Sequence, residues 1–314
     1  MSSIHRAFAA LAFVALSAAC QRDATPAADH ASAGPTGPVE AVTRLADDLR
    51  RNDLTAYARH ALPPELHTRI EAAWSEGRTL WPLTELPLDR QLPGFIAYLA
   101  APDSEQALLE TYQRQFAGAH GELRTAAATL GLFAAQYVRR EGEYSETERE
   151  HYVQLIGALS QWGRQAPLGD PQRARLAIPQ LAAAARLTGL TDPDAFARFG
   201  MNRSLQRLGP FFGRFKQTLV DYGLDLDAAL GSIDASLLEQ TGDTARVRLR
   251  YALGAQRIDA IVRLERRDGR WYLSDALRHA EAEAGPAPAM TVSAGAPPAA
   301  APAAPGPQRG APTG

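Results

Sequence analysis

The chain is predicted to belong to the α+β class, a mostly α-helical bundle followed by a C-terminal antiparallel β-meander of three or four strands. From Val39 to about Leu230 apolar residues recur at helical spacing, and from about Ile233 to Leu273 the period drops to two. These patterns occupy roughly 240 residues, enough for a sizeable core, and the stretches on either side carry neither period. The expected divisions are a removable segment at 1–19, a flexible tether at 20–38, a helical region at 39–230, a meander at 231–280 packed on the preceding helix, and a disordered Pro/Ala-rich tail at 281–314.

The first helix places Val42, Leu45, Ala46 and Leu49 on one face, pauses at Asn52 and Asp53, and runs to a stop at Pro63 and Pro64. The next puts Leu66, Ile70 and Trp74 on one stripe and ends near Gly77. From Arg78 to Pro93 the prolines at 82, 87 and 93 forbid regular helix, so Trp81, Leu83, Leu86, Leu88 and Leu92 are expected in an irregular packed segment. Asp103 and Gln106 form a variant capping box before Leu108, Tyr112 and Phe116, and Leu123, Leu130, Phe133 and Tyr137 continue in a partner helix. Ser145 and Glu148 form a full capping box ahead of Tyr152, Leu155, Ile156, Leu159 and Trp162. Asp170-Pro171 and Asp192-Pro193 each set an N-cap before a proline in the first turn. The last long helix, about 202–222, carries Leu208, Phe211, Phe212, Phe215, Leu219 and Tyr222.

In the meander, Val247, Leu249, Tyr251 and Leu253 alternate with Arg246, Arg248 and Arg250, and Ile258, Ala260, Val262 and Leu264 alternate with Arg257, Asp259, Arg263 and Glu265. Turns at Gly242-Asp243, Gly254 and Asp268-Gly269 separate the strands, Trp271 to Leu273 closes the series, and a weaker strand covers about 233–239. One apolar sheet face must be covered, and the aromatic helix before it is the expected cover. Helices followed by a meander ending in Gly269, Arg270, Trp271 and Tyr272 resemble the small NTF2-like domains of envelope lipoproteins, over about a quarter of the chain. That resemblance implies an apolar pocket between sheet and helix, for which Phe211, Phe212, Phe215, Tyr222, Val247, Leu249 and Trp271 are the candidate lining.

The chain opens with Ser2, Ser3, His5 and Arg6, then an uncharged, almost wholly apolar run from Ala7 to Ala19. This is the order of regions in a secretory signal. Thirteen residues fall short of the roughly 20 that span a bilayer, so the run reads as a segment to be removed. Leu16, Ser17, Ala18, Ala19 and Cys20 resemble the lipobox of bacterial lipoproteins, with Ser17 standing where that pattern usually has Leu. The resemblance implies cleavage before Cys20, lipid on its thiol and a membrane anchor; Gln21, in place of Asp, implies the periplasmic face of the outer membrane rather than the inner membrane. Cys20 is the only cysteine, so an exported chain without that lipid would carry an unpaired thiol.

The formal net charge is −2, and −3 once Arg6 leaves with the signal, so no nucleic-acid partner is implied. Lys216 is the only lysine, which reads as genome composition. Glu148 and His151 match the Glu-x-x-His of di-iron bundles, but no second such pair exists and Glu148 already serves the capping box. No metal and no cofactor beyond the covalent lipid is expected. His60 and His67 read as surface histidines, and Glu71, Glu76 and Glu85 near Trp74 and Trp81 read as solvated acids rather than a sugar-hydrolysing pair. No nucleophile elbow, Walker loop or dinucleotide fingerprint is present. The leading expectation is a non-enzymatic binding or scaffolding protein, with an envelope protein or peptidoglycan as partner. A carrier of a small apolar ligand and a peptidoglycan-active enzyme are the alternatives.

Overall fold

The computed structural model of the protein describes residues 37–85, 91–142 and 144–285. The segment expected to be a signal, Cys20, most of the expected tether and the residues beyond 285 lie outside the described residues, as do Leu86 and Leu88. Three helices open the fold, α1 (Pro38–Arg50), α2 (Leu54–Ala61) and α3 (Pro64–Ser75). A 3-10 turn at Leu83–Glu85 precedes α4 (Leu92–Ala100), α5 (Ser104–Gln115), α6 (His120–Arg140), α7 (Glu146–Gln165) and α8 (Pro171–Thr188). A short α9 (Ala195–Phe199), the long α10 (Met201–Asp221) and α11 (Leu226–Gly231) lead into the strands β1 (Asp234–Thr241), β2 (Thr244–Leu253), β3 (Gln256–Arg267) and β4 (Arg270–Leu273). A last helix, α12 (Ser274–Ala284), follows them. The architecture is the expected α+β, helices first and then a four-stranded antiparallel meander in the order β1-β2-β3-β4. No helix among the described residues is long and apolar enough to cross a membrane.

Side-chain chemistry sets several of these boundaries. Ser145 accepts from the Glu148 N–H while the Glu148 carboxylate accepts from the Ser145 N–H, the reciprocal box that opens α7. Asp170 caps α8 by accepting from the N–H groups of Gln172 and Arg173. Other expectations are corrected. Asp103 makes no capping bond, because its backbone is not extended and Gln106 turns instead to Glu110. Asp192 lies two residues ahead of the cap position of α9, which starts only at Ala195; its carboxylate pairs with Arg198 and also accepts from the N–H groups of Asp194 and Ala195 in the turn that leads in. Leu92 and Pro93 belong to α4, since proline in a first turn lacks only an N–H that would have no helical partner.

The helical faces of α1 and α3 are buried as their spacing requires, including Val42, Leu45, Ala46, Leu49, Leu66, Ile70 and Trp74. The α5–α6 stripe is less covered, with Phe116 and Phe133 exposed. Contact between α6 and α7 depends on small residues, because a Cβ on Gly131 would fall 2.3 Å from Ser160 Oγ. In the sheet, Val247 opposes Val262, Leu249 opposes Ala260 and Tyr251 opposes Ile258, which gathers the apolar residues on one face. The opposite face is tied by ion pairs from Arg248 to Asp259 and Arg250 to Asp234.

The apolar face is not covered chiefly by the helix that precedes it. It lies on α7 and α1, with α12 along β3 and β4. The reason is that α10 commits Met201, Leu205 and Leu208 to a second core with α2 and α3, and joins the sheet's core only through Leu219, Phe212 and Phe215. Regular structure also runs past the expected limit at 280, for Ala276, Leu277, Ala280 and Ala284 bury one face of α12.

Candidate functional site

The expected place for a site, between the sheet and its helices, does hold a cavity. Val42, Leu45 and Leu49 of α1 and Tyr57 of α2 form one wall, Ile261, Val262 and Leu273 the sheet wall, and Thr147, Glu148, His151 and Tyr152 of α7 with Asp275 and Ala276 of α12 the rest. About 40 Å³ is open to the centres of water molecules, room for a few waters and too little for an organic ligand. None of the seven residues expected to line a pocket is on this wall. Val247, Leu249 and Trp271 are packed solid in the sheet's core, Phe211, Phe212 and Phe215 pack partly buried at the margins of the cores, and Tyr222 sits at the end of α10 with its carbonyl accepting from Trp162 Nε1.

A charged cluster borders the cavity where the first turn of α7 meets α12. Glu148, only 5% exposed, accepts from Arg278 as well as from the Ser145 N–H. Ser145 Oγ donates to Asp275 at 3.1 Å, and Arg278 also reaches Asp275 at 3.3 Å. His279 stands between two carboxylates, with Nδ1 2.9 Å from Glu85 Oε1 and Nε2 3.4 Å from Glu148 Oε1. Glu85 in turn accepts from Trp81 Nε1 at 3.0 Å, so the irregular proline-rich segment supplies one side of the cluster. The capping box that opens α7 therefore also delivers Glu148 to the interior.

Burial and the nearby Asp275 charge push the Glu148 carboxyl up to about 7, against the opposing pull of His279, the Ser145 N–H and Arg278. Burial alone would lower His279, but the hydrogen bond to Glu85 and the charges of Glu85 and Glu148 outweigh it and raise the imidazole. An imidazolium donates from both ring nitrogens, which is what two flanking carboxylates require. The arrangement therefore places two groups whose surroundings favour the protonated form, Glu148 and His279, next to a water-sized space. His151, one turn on from Glu148, turns away to Tyr251, 2.7 Å from its hydroxyl, and burial pushes it down to about 4.

The Glu148-x-x-His151 pair therefore does not converge, and among the described residues no group of three or more His, Cys, Asp or Glu is arranged to hold a metal ion. His60 and His67 are not plain surface groups: His60 bonds the buried Asp48 at 2.6 Å, and His67 is lowered by burial although Glu71 is near. Of the acids near the tryptophans, Glu71 pairs with Asn202 and Glu76 with Arg78 at the surface, and only Glu85 enters the cluster. Sequence reasoning misses Asp275, Arg278 and His279 because their helix straddles the boundary expected between meander and tail. Comparison of the chain with family models, with curated proteins and with solved structures yields no match.

Proposed function

We propose that the protein is a lipid-anchored protein of the cell envelope, held through Cys20 at the periplasmic face of the outer membrane, and that its folded body binds another envelope component, a protein or peptidoglycan. The observation that carries this reading is Leu16 to Cys20 directly behind a short apolar run, with no other cysteine in the chain. Acylation contributes about 0.8 kcal/mol for each buried CH₂, so two or more chains make a stable anchor. Binding rather than turnover is supported by the interior. Glu85, Glu148, Asp275, Arg278 and His279 satisfy one another, and the space beside them admits waters alone.

The carrier reading finds no room in the expected place between sheet and helices, and only a different site, between two helices, favours it. A recess of about 210 Å³ between α6 and α7 is lined almost wholly by apolar side chains, among them Leu123, Leu130, Ile156, Leu159 and Trp162. An apolar cavity of about 150 Å³ suffices for benzene, so a small apolar group fits there. In-cell crosslinking and affinity purification of the full chain, beside its Cys20→Ser form, tests the leading reading. A partner or peptidoglycan fragment enriched at least tenfold with Cys20 present is the expected result. Equal recovery from both forms contradicts it, and a rise in melting temperature with small apolar ligands would favour the carrier.

A further inference from the structure

The sheet has two open edges, and the fold treats them differently. On β3, residues 256–263 extend past the part paired with β4. There the Gln154 side chain of α7 stands in for a strand: its Nε2 donates to the Asp259 carbonyl at 2.8 Å, and its Oε1 accepts from the Asp259 N–H at 2.9 Å. At the other edge β1 has no neighbouring strand on its outer side among the described residues, and every residue from 237 to 241 is exposed. Edge strands are normally blunted by charged side chains, above all lysine, by proline, by inward charge or by a bulge that twists the edge away. β1 has a bulge between Leu237 and Glu239 but no lysine and no proline, and at that bulge Leu237 and Leu238 stand side by side, each 47% exposed.

The geometry points to β1 as a self-pairing edge, on which a second copy of this chain adds its own β1 antiparallel to form a continuous sheet across two molecules. Self-complementarity favours this occupant, and charge does not oppose it. The charged residues of β1 are Asp234 and Glu239, already paired with Arg250 and Arg246 of β2. In an antiparallel register centred on Leu237 and Leu238, Asp234 faces the partner's Thr241 and Glu239 faces the partner's Ser236, so no like charges are opposed. The same register brings the four leucines together and gives the outward backbone groups of 234–241 partners. An isologous pairing of this kind closes at two copies. It does not depend on the lipid anchor.

Sedimentation of the full chain in density-matched detergent, over a hundredfold range of concentration, tests this. Wild-type protein is expected to pass from monomer to dimer, and Leu237→Lys with Leu238→Lys is expected to raise the dissociation constant at least tenfold with an unchanged melting temperature. Amide hydrogen exchange on the wild type supplies a check independent of any variant, with protection at 234–241 expected to rise with concentration. A monomer throughout, a dimer unaffected by the lysines, or concentration-independent exchange of β1 overturns the proposal.

Discussion

Glu148 and His151 lie one turn apart on α7 and titrate in opposite senses. The Glu148 carboxyl, at about 7 in the folded chain against 4.5 ordinarily, keeps its proton longer when folded, so its contribution to stability is full below about pH 4.5 and is lost as pH rises to about 7. His151, at about 4 against 6.5, contributes stability above about pH 6.5 that is lost as pH falls toward 4. Over the shared window the slopes of these two contributions oppose each other and largely cancel. Glu148→Gln removes one of them. Between pH 4.5 and 6.5 the variant's stability should climb relative to wild type, by a total on the order of 3 kcal/mol, because a tenfold change in proton affinity is worth about 1.4 kcal/mol. Thermal melts of both proteins across that range measure it, and parallel pH profiles would show that Glu148 titrates as an ordinary surface acid. Glu148 is legible in the sequence as a capping residue, because a cap is written in four consecutive positions. Its second role is not, because the partners Arg278 and His279 are some 130 residues away. Lys216 teaches the same lesson: being the sole lysine suggests nothing structural, yet it is buried, donating to the carbonyls of Leu49 and Arg50 at 3.0 Å and to Asp227, where a cation complements the C-terminal end of α1.

At the scale of elements, Gln154 supplies the most direct test of how the sheet is finished. Replacing it with Ala removes both bonds to the Asp259 backbone, and water can reach that edge, so a loss of about 1 kcal/mol is expected rather than the full cost of two buried bonds. Urea melts give the loss, and faster hydrogen exchange at Asp259 should accompany it; an unchanged amide would mean that Gln154 does not seal the edge. The strands are readable because a period of two with turn residues between runs is a local signal, and β2 pairs with β3 in the register that this alternation demands. α12 carries its own signal in Ala276, Leu277, Ala280 and Ala284, but alanines at helical spacing stand out weakly beside a Pro/Ala-rich tail. The cover of the sheet escapes sequence reasoning for a different reason. Adjacency along the chain favours α10, whereas α1 and α7, far earlier, bring the apolar faces that fit.

At the scale of the whole molecule, the described body has two large cores, one beneath the sheet and one among α2, α3, α10 and α12, beside a small third cluster at Leu99, Ala100 and Ala185; α12 buries Leu277, Ala280 and Ala284 in the second core and runs along β3 and β4. It is held by Glu148 of α7, by Glu85 of the proline-rich segment, and by Thr79 through Glu283. Interior chemistry thus serves to fix the last helix, and the proposed function falls to the surfaces and to the proposed lipid anchor at Cys20. Lipidation of Cys20 is the step on which that function rests, and metabolic labelling with a clickable fatty acid in a Gram-negative host, followed by membrane fractionation, reads it out. Label is expected on the wild-type chain in the outer-membrane fraction and none on Cys20→Ser, which should be missing from that fraction. Equal labelling of both forms, or no label on the wild type, would contradict the lipid anchor.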